Sequence, residues 1–312
     1  MATPTVVSLF SGAGGLDLGF KLAGFELLWA NDIDSDAVET YRENIGDHIL
    51  LGDVSDISVD EIPECDVLIG GFPCQGFSQA NTHKVEHDER NQLYRQYLRV
   101  LEAKRPKIFV AENVRGILSL EGGSAIRKIV SDFEVAGYQV QYRLLNSADY
   151  GVPQTRRRVI IVGVREDVDR EFVYPAPTHS ANGEKGLRRW VSMREALADV
   201  PDPDGPDAAL VPNNVYSRYK VVARNYTGHR LSDPEKPSPT ILARGNGGGG
   251  VCAIPHYDGQ RRLSVHESAL IQSFPADYRF YGALNSCYRQ VGNAVPVRMA
   301  KAIAESVKKV LS

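Results

Sequence analysis

The chain has 312 residues, of which 43% are hydrophobic and 24% are charged, and its formal net charge is -3. This composition excludes a disordered or fibrous chain, and the length suits one large domain with a smaller one. No apolar run approaches the roughly 20 residues that span a bilayer, and the amino terminus lacks a basic segment followed by a long apolar stretch, so we expect a cytoplasmic protein without membrane contact.

The first half of the chain alternates short apolar runs with amphipathic segments. Strands are predicted at 5–10, 26–30, 65–70, 107–113 and 158–164. Helices are predicted at 34–44, 91–104 and 123–136. This alternation predicts an α/β protein with a doubly wound, mostly parallel sheet, which binds ligands at the carboxyl ends of its strands.

From about residue 175 the chain becomes rich in Pro, Gly, Asp and Asn, residues that favour loops. We therefore predict a smaller, loop-rich domain over 176–285, with short helices near 192–199 and 265–272. A final helix is predicted over 296–310, beginning at Pro296, because proline is tolerated in the first helical turn.

Glycines and acids follow the first three strand-like runs. The first run leads into SGAGGLDLGF, in which Asp17 stands where a dinucleotide-binding fingerprint has its third glycine, and this argues against NAD. A tight structural turn remains an alternative for this stretch. Asp32 or Asp34 follows the second run, and Asp53 lies at the end of a further strand-like run, third in chain order, that ends in GDV. Although either acid alone would more commonly cap a helix, the succession favours an adenosyl pocket.

The next two strand-like runs are followed by residues suited to catalysis. Cys74 lies in GFPCQGFS after the fourth run, 65–70, and Glu112 ends the fifth, 107–113. Glu112 either reaches the same ligand as Cys74 or caps the following helix. A lone cysteine is usually an inert small hydrophobe, but this position is where α/β enzymes keep their chemistry. The polar segment 79–92 is either a lid or an exposed connector.

Two basic segments follow. In QTRRRV, the strand alternation sends Arg156 and Arg158 to one face and Arg157 to the other. The segment 216–230 interleaves tyrosines with basic residues and contains no acid, a composition suited to phosphate and base contacts, although a solvated face is the commoner meaning of such a run. The glycine-rich stretch 245–250 either forms a flexible turn, which is the commoner meaning, or allows the backbone to approach a phosphodiester closely.

The cysteines show no metal-binding or disulfide pattern. Cys65, Cys74, Cys252 and Cys287 are far apart, with no CxxC pair and no matching histidine spacing. We therefore expect reduced thiols and no metal centre.

Taken in order, FSGAGG, GFPCQGFS, AENV, QTRRRV, RRLSVHESALIQSFP and QVGNAVP resemble the motif set of DNA (cytosine-5) methyltransferases of the bacterial restriction-modification type. The resemblance covers almost all of the chain outside about 176–237. It implies an S-adenosylmethionine-dependent methyltransferase fold in which the last helix packs back on the first motif. The large domain would then comprise 1–175 plus 286–312, with 176–285 as target-recognition domain and hinge.

The resemblance also implies roles for individual residues. Cys74 matches the nucleophile that adds to a flipped-out cytosine, Glu112 the residue that holds ring nitrogen 3, and Arg156 and Arg158 the pair that orients the base. Residues matched to the S-adenosylmethionine pocket are Phe10, Gly12, Ala13, Gly15, Asp32, Ile33, Asp53, Val54, Pro73, Leu93, Asn293, Ala294 and Val295. Candidate DNA contacts are Gln75, Ser78, Arg218, Lys220, Arg224, Arg230 and Arg244.

One departure concerns His266, which precedes Glu267 where the family commonly has an Arg-Glu pair, and this affects the expected local packing rather than catalysis. A transfer-RNA methyltransferase is disfavoured because neither Cys252 nor Cys287 is followed by Phe-Thr. A non-catalytic relative would be expected to lose Cys74 or Glu112, and both are present. We expect double-stranded DNA as the partner, and a cognate restriction endonuclease is a possible second partner. We also expect the protein to act as a monomer that associates with the nucleoid.

Overall fold

The computed structural model describes residues 2–73, 92–219, 221, 232–243 and 254–312. Within these ranges the strands of the main sheet are β1 Thr5–Leu9, β2 Glu26–Asp32, β3 Ile49–Leu51, β4 Val67–Gly70, β5 Ile108–Val114, β6 Tyr138–Asn146 and β7 Arg157–Arg165. They are ordered β3-β2-β1-β4-β5-β7-β6. Strands β1 to β5 are parallel, and β7 runs antiparallel to both of its neighbours, β5 and β6. The predicted doubly wound, mostly parallel sheet is confirmed.

Helices cover both faces of this sheet. They are α1 Gly15–Leu22, α2 Ser35–Asn44, α3 Gln92–Lys104, α4 Ser124–Val135, α5 Met193–Leu197, α6 Val265–Ile271, α7 Leu284–Asn293 and α8 Val297–Leu311. Successive strand residues alternate between the two sides, so that Val6 packs with α1 and α8 while Val7 packs with α3 and α4. Buried on both faces, the central strands are nearly continuous runs of apolar residues.

Helices α1 and α8 pack very closely, although they come from opposite ends of the sequence. A methyl group at Gly19 would lie 2.4 Å from Ala300 Cβ and 2.7 Å from the backbone nitrogen of Lys301. The carboxyl-terminal helix thus lies against the first helix and buries Met299, Ala300 and Ile303 in the same core.

We predict that Gly19→Ala destabilises the protein despite the better helix propensity of alanine. The propensity gain is about 1 kcal/mol, whereas forcing a methyl into a packed contact costs about 1 to 3 kcal/mol. A net fall in the thermal midpoint is therefore expected. Gly52→Ala is the matched control, because a methyl there meets no atom within 4 Å; equal midpoints for the two variants would show that the α1–α8 contact is not tight.

Three features differ from the sequence prediction. Strand β6 and helix α7 were not predicted, and helix α8 begins at Val297 with Pro296 as its N-cap, rather than at Pro296 itself. The predicted small domain contains a two-stranded pair, β8 His179–Ser180 with β9 Arg188–Arg189, and otherwise short helices and loops among its described residues. None of the described helices is long and apolar enough to cross a membrane.

Candidate active site

A cavity of about 1000 Å³ opens at the carboxyl ends of β1, β2, β4 and β5. It is bounded on its far side by the end of α7 and the segment that leads into α8. All thirteen residues matched to a cofactor pocket line it, namely Phe10, Gly12, Ala13, Gly15, Asp32, Ile33, Asp53, Val54, Pro73, Leu93, Asn293, Ala294 and Val295. Glu112, Arg156 and Arg158 line the same cavity.

The loop between β1 and α1 adopts a conformation that requires glycine. Gly12 and Gly14 have φ values of 54° and 78°, and a methyl group at Gly14 would lie 2.2 Å from Ile45 Cδ1. At Gly15 a methyl group would lie 2.4 Å from the carbonyl oxygen of Val295. The loop is therefore held between α2 and the segment before α8, and its backbone faces the cavity.

The two acids at the end of β2, Asp32 and Asp34, have different partners in the structure. Asp34 is the N-cap of α2, accepting a hydrogen bond from the Asp36 amide, and it forms an ion pair of 2.9 Å with Arg289. Asp32 accepts a 2.7 Å hydrogen bond from the Gly12 amide, so its carboxylate joins the glycine loop to β2. Burial raises the pKa of Asp32 above its usual value.

Two further residues line the cavity, the acid Asp53 and the apolar Ile33. Asp53 accepts hydrogen bonds from the amide and hydroxyl of Ser55. Ile33 is 68% exposed although it is a large apolar side chain. An exposed isoleucine in the wall of a cavity offers an apolar surface to a ligand.

Glu112 and Arg158 form a nearly buried ion pair on neighbouring strands. The Arg158 Nε and Glu112 Oε1 atoms are 2.8 Å apart, and each side chain is 12% exposed. Glu112 belongs to β5 and does not cap the following helix, which was the alternative left open by the sequence. Gly71 lies beside it, since a methyl group at Gly71 would be 3.1 Å from Glu112 Oε2.

Arg156 lines the cavity, but its guanidinium binds main-chain oxygens. It donates hydrogen bonds of 2.9 Å to the carbonyl of Ile241 and of 2.9 Å to that of Gly292. Burial lowers its pKa to about 9. Gln154 donates to Gln272 and accepts from the Ile241 amide, so this polar network ties the segment around 241 to the end of α7. Arg157 is exposed and does not line the cavity, in keeping with the prediction that it lies on the face opposite to Arg156 and Arg158.

Cys74 lies outside the described residues and follows Pro73, which lines the cavity. Of the two cysteines that the structure describes, Cys65 precedes β4 at the opposite end of the strand, and burial raises its thiol pKa to about 12. Burial likewise raises the pKa of Cys287 to about 11. Neither thiol is suited to nucleophilic attack, because the thiolate is the reactive form.

Among the predicted DNA contacts, the structure describes only Arg218. It is exposed, pairs with Asp204 at 2.7 Å, and stacks over the Tyr216 ring at 4.4 Å. The others lie outside the described residues: Gln75, Ser78, Lys220, Arg224, Arg230 and Arg244. Their roles stay predictions.

Glu267 and His266 have clear structural roles. Glu267 is 1% exposed, forms a capping box with Ser264, and binds Arg261 through two contacts of 2.7 Å. His266 is buried, and its burial lowers its pKa. The local packing that the departure from the family pattern called into question is thus well satisfied. Across the described part of the chain, no group of three or more His, Cys, Asp or Glu side chains is placed to hold a metal ion.

Several cavity residues were not found by sequence reasoning. They are Ser8, Asp17, Arg289, Gln290, Leu242 and Ala243. Asp17 was noted only as a missing glycine, and Arg289 gave no signal because its partner, Asp34, is 255 positions away. Leu242 and Ala243 approach α7 so closely that a methyl group at Gly292 would lie 2.4 Å from the Ala243 nitrogen.

Comparisons with known proteins agree with this geometry. The model of the C-5 cytosine-specific DNA methylase family matches residues 4–309. The chain is 40% identical to the Type II methyltransferase M.NgoFVII of Neisseria gonorrhoeae, over 99% of this chain and 87% of that protein. It is 39% identical to the Type II methyltransferase M.BspRI of Lysinibacillus sphaericus, over 97% of this chain and 81% of that protein. Its fold is similar to that of the S. pombe Dnmt2 methyltransferase, with a TM-score of 0.72, 18% identity, and coverage of 99% and 98% of the two chains.

Proposed function

The chain belongs to the C-5 cytosine-specific DNA methylase family, and from this premise we propose that it methylates carbon 5 of cytosine within a specific double-stranded DNA sequence, through a transient covalent bond to Cys74. The observation that carries the proposal is the Glu112–Arg158 ion pair of 2.8 Å, which lines the same cavity as Pro73, the residue before Cys74. A carboxyl group in this cavity suits the activation of a pyrimidine ring that a nucleophile attacks.

The charge of the cavity supports S-adenosylmethionine as the cofactor. Two of its three arginines are paired with acids, Arg158 with Glu112 and Arg289 with Asp34. The acids of the cavity that are not paired with an arginine are Asp17, Asp32 and Asp53, and the one remaining arginine among the described lining residues is Arg156. An excess of carboxylates suits a cofactor with a sulfonium and an ammonium group. Asp32 would hold the ribose, Asp53 the adenine amine, and Ile33 would cover the ring.

The proposed mechanism starts from the weak nucleophilicity of cytosine carbon 5. The Cys74 thiolate adds to carbon 6, and Glu112 holds a proton at nitrogen 3, so that the electrons of the 5,6 double bond become available at carbon 5. Arg158 keeps Glu112 oriented and balances charge at the base. When bound, S-adenosylmethionine supplies an electrophilic methyl group to carbon 5. Water or hydroxide then removes the carbon-5 proton, the Cys74–carbon 6 bond breaks, and the ring regains its aromaticity.

A stacked cytosine does not expose its ring faces to a thiol. The base must therefore leave the duplex, at a cost of roughly a few kcal/mol. Residues 176–285 would act as target-recognition domain and hinge, and residues 1–175 with 286–312 as the catalytic domain. Arg156 supports this division, because it binds the carbonyls of Ile241 and Gly292, one on each side. Arg156 would thus hold the two sides of the cleft together, rather than contact the base.

The proposed function is tested by expressing the chain in a bacterial host that lacks cytosine methylation. Bisulfite sequencing of the host genome should show 5-methylcytosine at one position of one recurring sequence. The Cys74→Ala variant is the matched control and should leave the genome unmodified. Methylation of the exocyclic amine, or none despite soluble expression, would contradict the proposal. The restriction-modification type makes a cognate endonuclease the expected partner, and we expect a monomer acting on cytoplasmic, nucleoid DNA.

A further inference from the structure

Asp17 is a fully buried acid in the wall of the cavity. It is the third residue of α1, its side chain is 0% exposed, and it lines the cavity beside the glycine loop. Its Oδ1 atom accepts a 3.0 Å hydrogen bond from the Tyr41 hydroxyl. Its Oδ2 atom has no hydrogen-bond partner among the described residues. A buried carboxylate oxygen without a partner is costly, which suggests a partner that arrives with the ligand.

The groups that face Asp17 supply no positive charge. From β1 comes the Ser8 hydroxyl, from α2 the Tyr41 hydroxyl, from β2 the Asp32 carboxylate, and from the loop after α6 the Tyr278 ring. Tyr41 in turn is 3.1 Å from His48 Nε2, and burial lowers the pKa of His48, which favours the neutral ring. These hydroxyls and the first turn of α1 reduce the cost of burying the Asp17 carboxylate, but no cationic side chain pairs with it among the described residues.

We propose that Asp17 supplies the counter-charge for a cationic centre of the bound cofactor. The inference rests on the proposed function. It gives Asp17 the role of recognising the positive charge of the cofactor. A cation is the ligand group that a buried, unpaired carboxylate binds most strongly, because little solvent screens the pair. Two groups of S-adenosylmethionine carry this chemistry, the sulfonium and the amino-acid ammonium.

The proton affinity of Asp17 makes this contact sensitive to pH. Burial raises its pKa to about 6, so the free protein holds it partly protonated in mildly acidic solution. A cation beside it favours the ionised form. Binding of the cofactor should therefore release a proton near pH 6, and affinity should rise as the pH increases through this value.

The test is isothermal titration of wild type and Asp17→Asn with three ligands. S-adenosylmethionine has both cationic groups, S-adenosylhomocysteine has only the ammonium, and methylthioadenosine has neither. Asp17→Asn should weaken S-adenosylmethionine binding about tenfold at pH 7.5 and leave methylthioadenosine within about twofold. In wild type the affinity for S-adenosylmethionine should fall about tenfold between pH 7 and pH 5, and this dependence should be lost in the variant. Asp47→Asn, which removes an exposed acid outside the cavity, is the control.

The outcomes separate the two cationic groups and the two proposals. An equal loss for S-adenosylhomocysteine would identify the ammonium as the partner, and an unchanged affinity for it would identify the sulfonium; either supports the inference. Unchanged S-adenosylmethionine binding in Asp17→Asn, or an equal loss for methylthioadenosine, would overturn the inference alone. Wild type that binds none of the three would overturn the proposed function as well. The thermal midpoint checks folding, and it should rise in the variant at pH 8, since an unpaired buried charge is removed.

Discussion

Replacing Cys74 with alanine is expected to abolish methyl transfer, with a fall of at least about 10⁴-fold in the single-turnover rate. Without the sulfur, carbon 6 receives no nucleophile and carbon 5 keeps its low reactivity. Binding to duplex DNA should persist, because the phosphate and base contacts come from other side chains. The rate is measured with a short duplex that contains the target sequence and a methyl-labelled cofactor.

Cys65→Ala is the matched control for this experiment. Cys65 precedes the same strand, β4, at its opposite end, and burial raises the pKa of its thiol to about 12. Its loss should leave the rate per folded molecule unchanged. A normal rate in Cys74→Ala, or a comparable loss in Cys65→Ala, would show that the thiol after Pro73 is not the nucleophile.

The second large effect is expected for Glu112→Gln, which should slow methylation by roughly 10² to 10³-fold. Glutamine keeps the shape of the side chain, but it loses the ion pair with Arg158 and the ability to share a proton with ring nitrogen 3. Cofactor affinity should change little, since the proposed role of Glu112 is at the base. Single-turnover rates and cofactor titrations together separate the two effects.

Glu267→Gln is the control for Glu112→Gln. Glu267 is also a buried glutamate in an ion pair, with Arg261, but it caps α6 outside the cavity. Its replacement should lower the thermal midpoint and leave the rate per folded molecule intact. If Glu112→Gln instead lowered stability and cofactor affinity with no effect on the rate, the ion pair would be structural rather than catalytic.

The sheet and the cavity wall were predictable because strand ends meet at one edge of a parallel sheet. Apolar runs located β1, β2, β4, β5 and β7 within a few residues. The carboxyl-terminal parts of β2, β3 and β5 bring Asp32, Asp53 and Glu112 to one cavity. The position of each acid follows from chain direction alone. Both Asp32 and Asp34 line the cavity, but the sequence did not show which of them caps α2, a position that the structure gives to Asp34.

The elements that were missed have weak periodic signals. Strand β6 is the edge of the sheet and exposes Gln139, Tyr142 and Arg143, so its sequence lacks a continuous apolar run. Helix α7 contains Asn, Ser and Gly, which have low helix propensity, and its helical form depends on packing. In both cases tertiary contacts outweigh local sequence preference.

Long-range contacts explain the remaining gap between sequence and site. Arg156 was placed on the correct face by strand alternation, yet its bonds to Ile241 and Gly292 span 85 and 136 positions. Nothing in the local sequence shows that the guanidinium donates hydrogen bonds to two main-chain carbonyls. The burial of Asp17 likewise depends on Tyr41 and Tyr278, which only the fold brings to it.

The central claim, that residue 74 bonds to the target base, is tested most directly with a duplex carrying 5-fluorocytosine at the methylated position. Fluorine cannot leave as a cation from carbon 5, so after methyl transfer the thioether bond to carbon 6 should persist. Peptide mass spectrometry should then find the oligonucleotide linked to Cys74, only when S-adenosylmethionine is present. A protein that methylates ordinary cytosine yet never becomes linked to the fluorinated base at this residue would contradict the account.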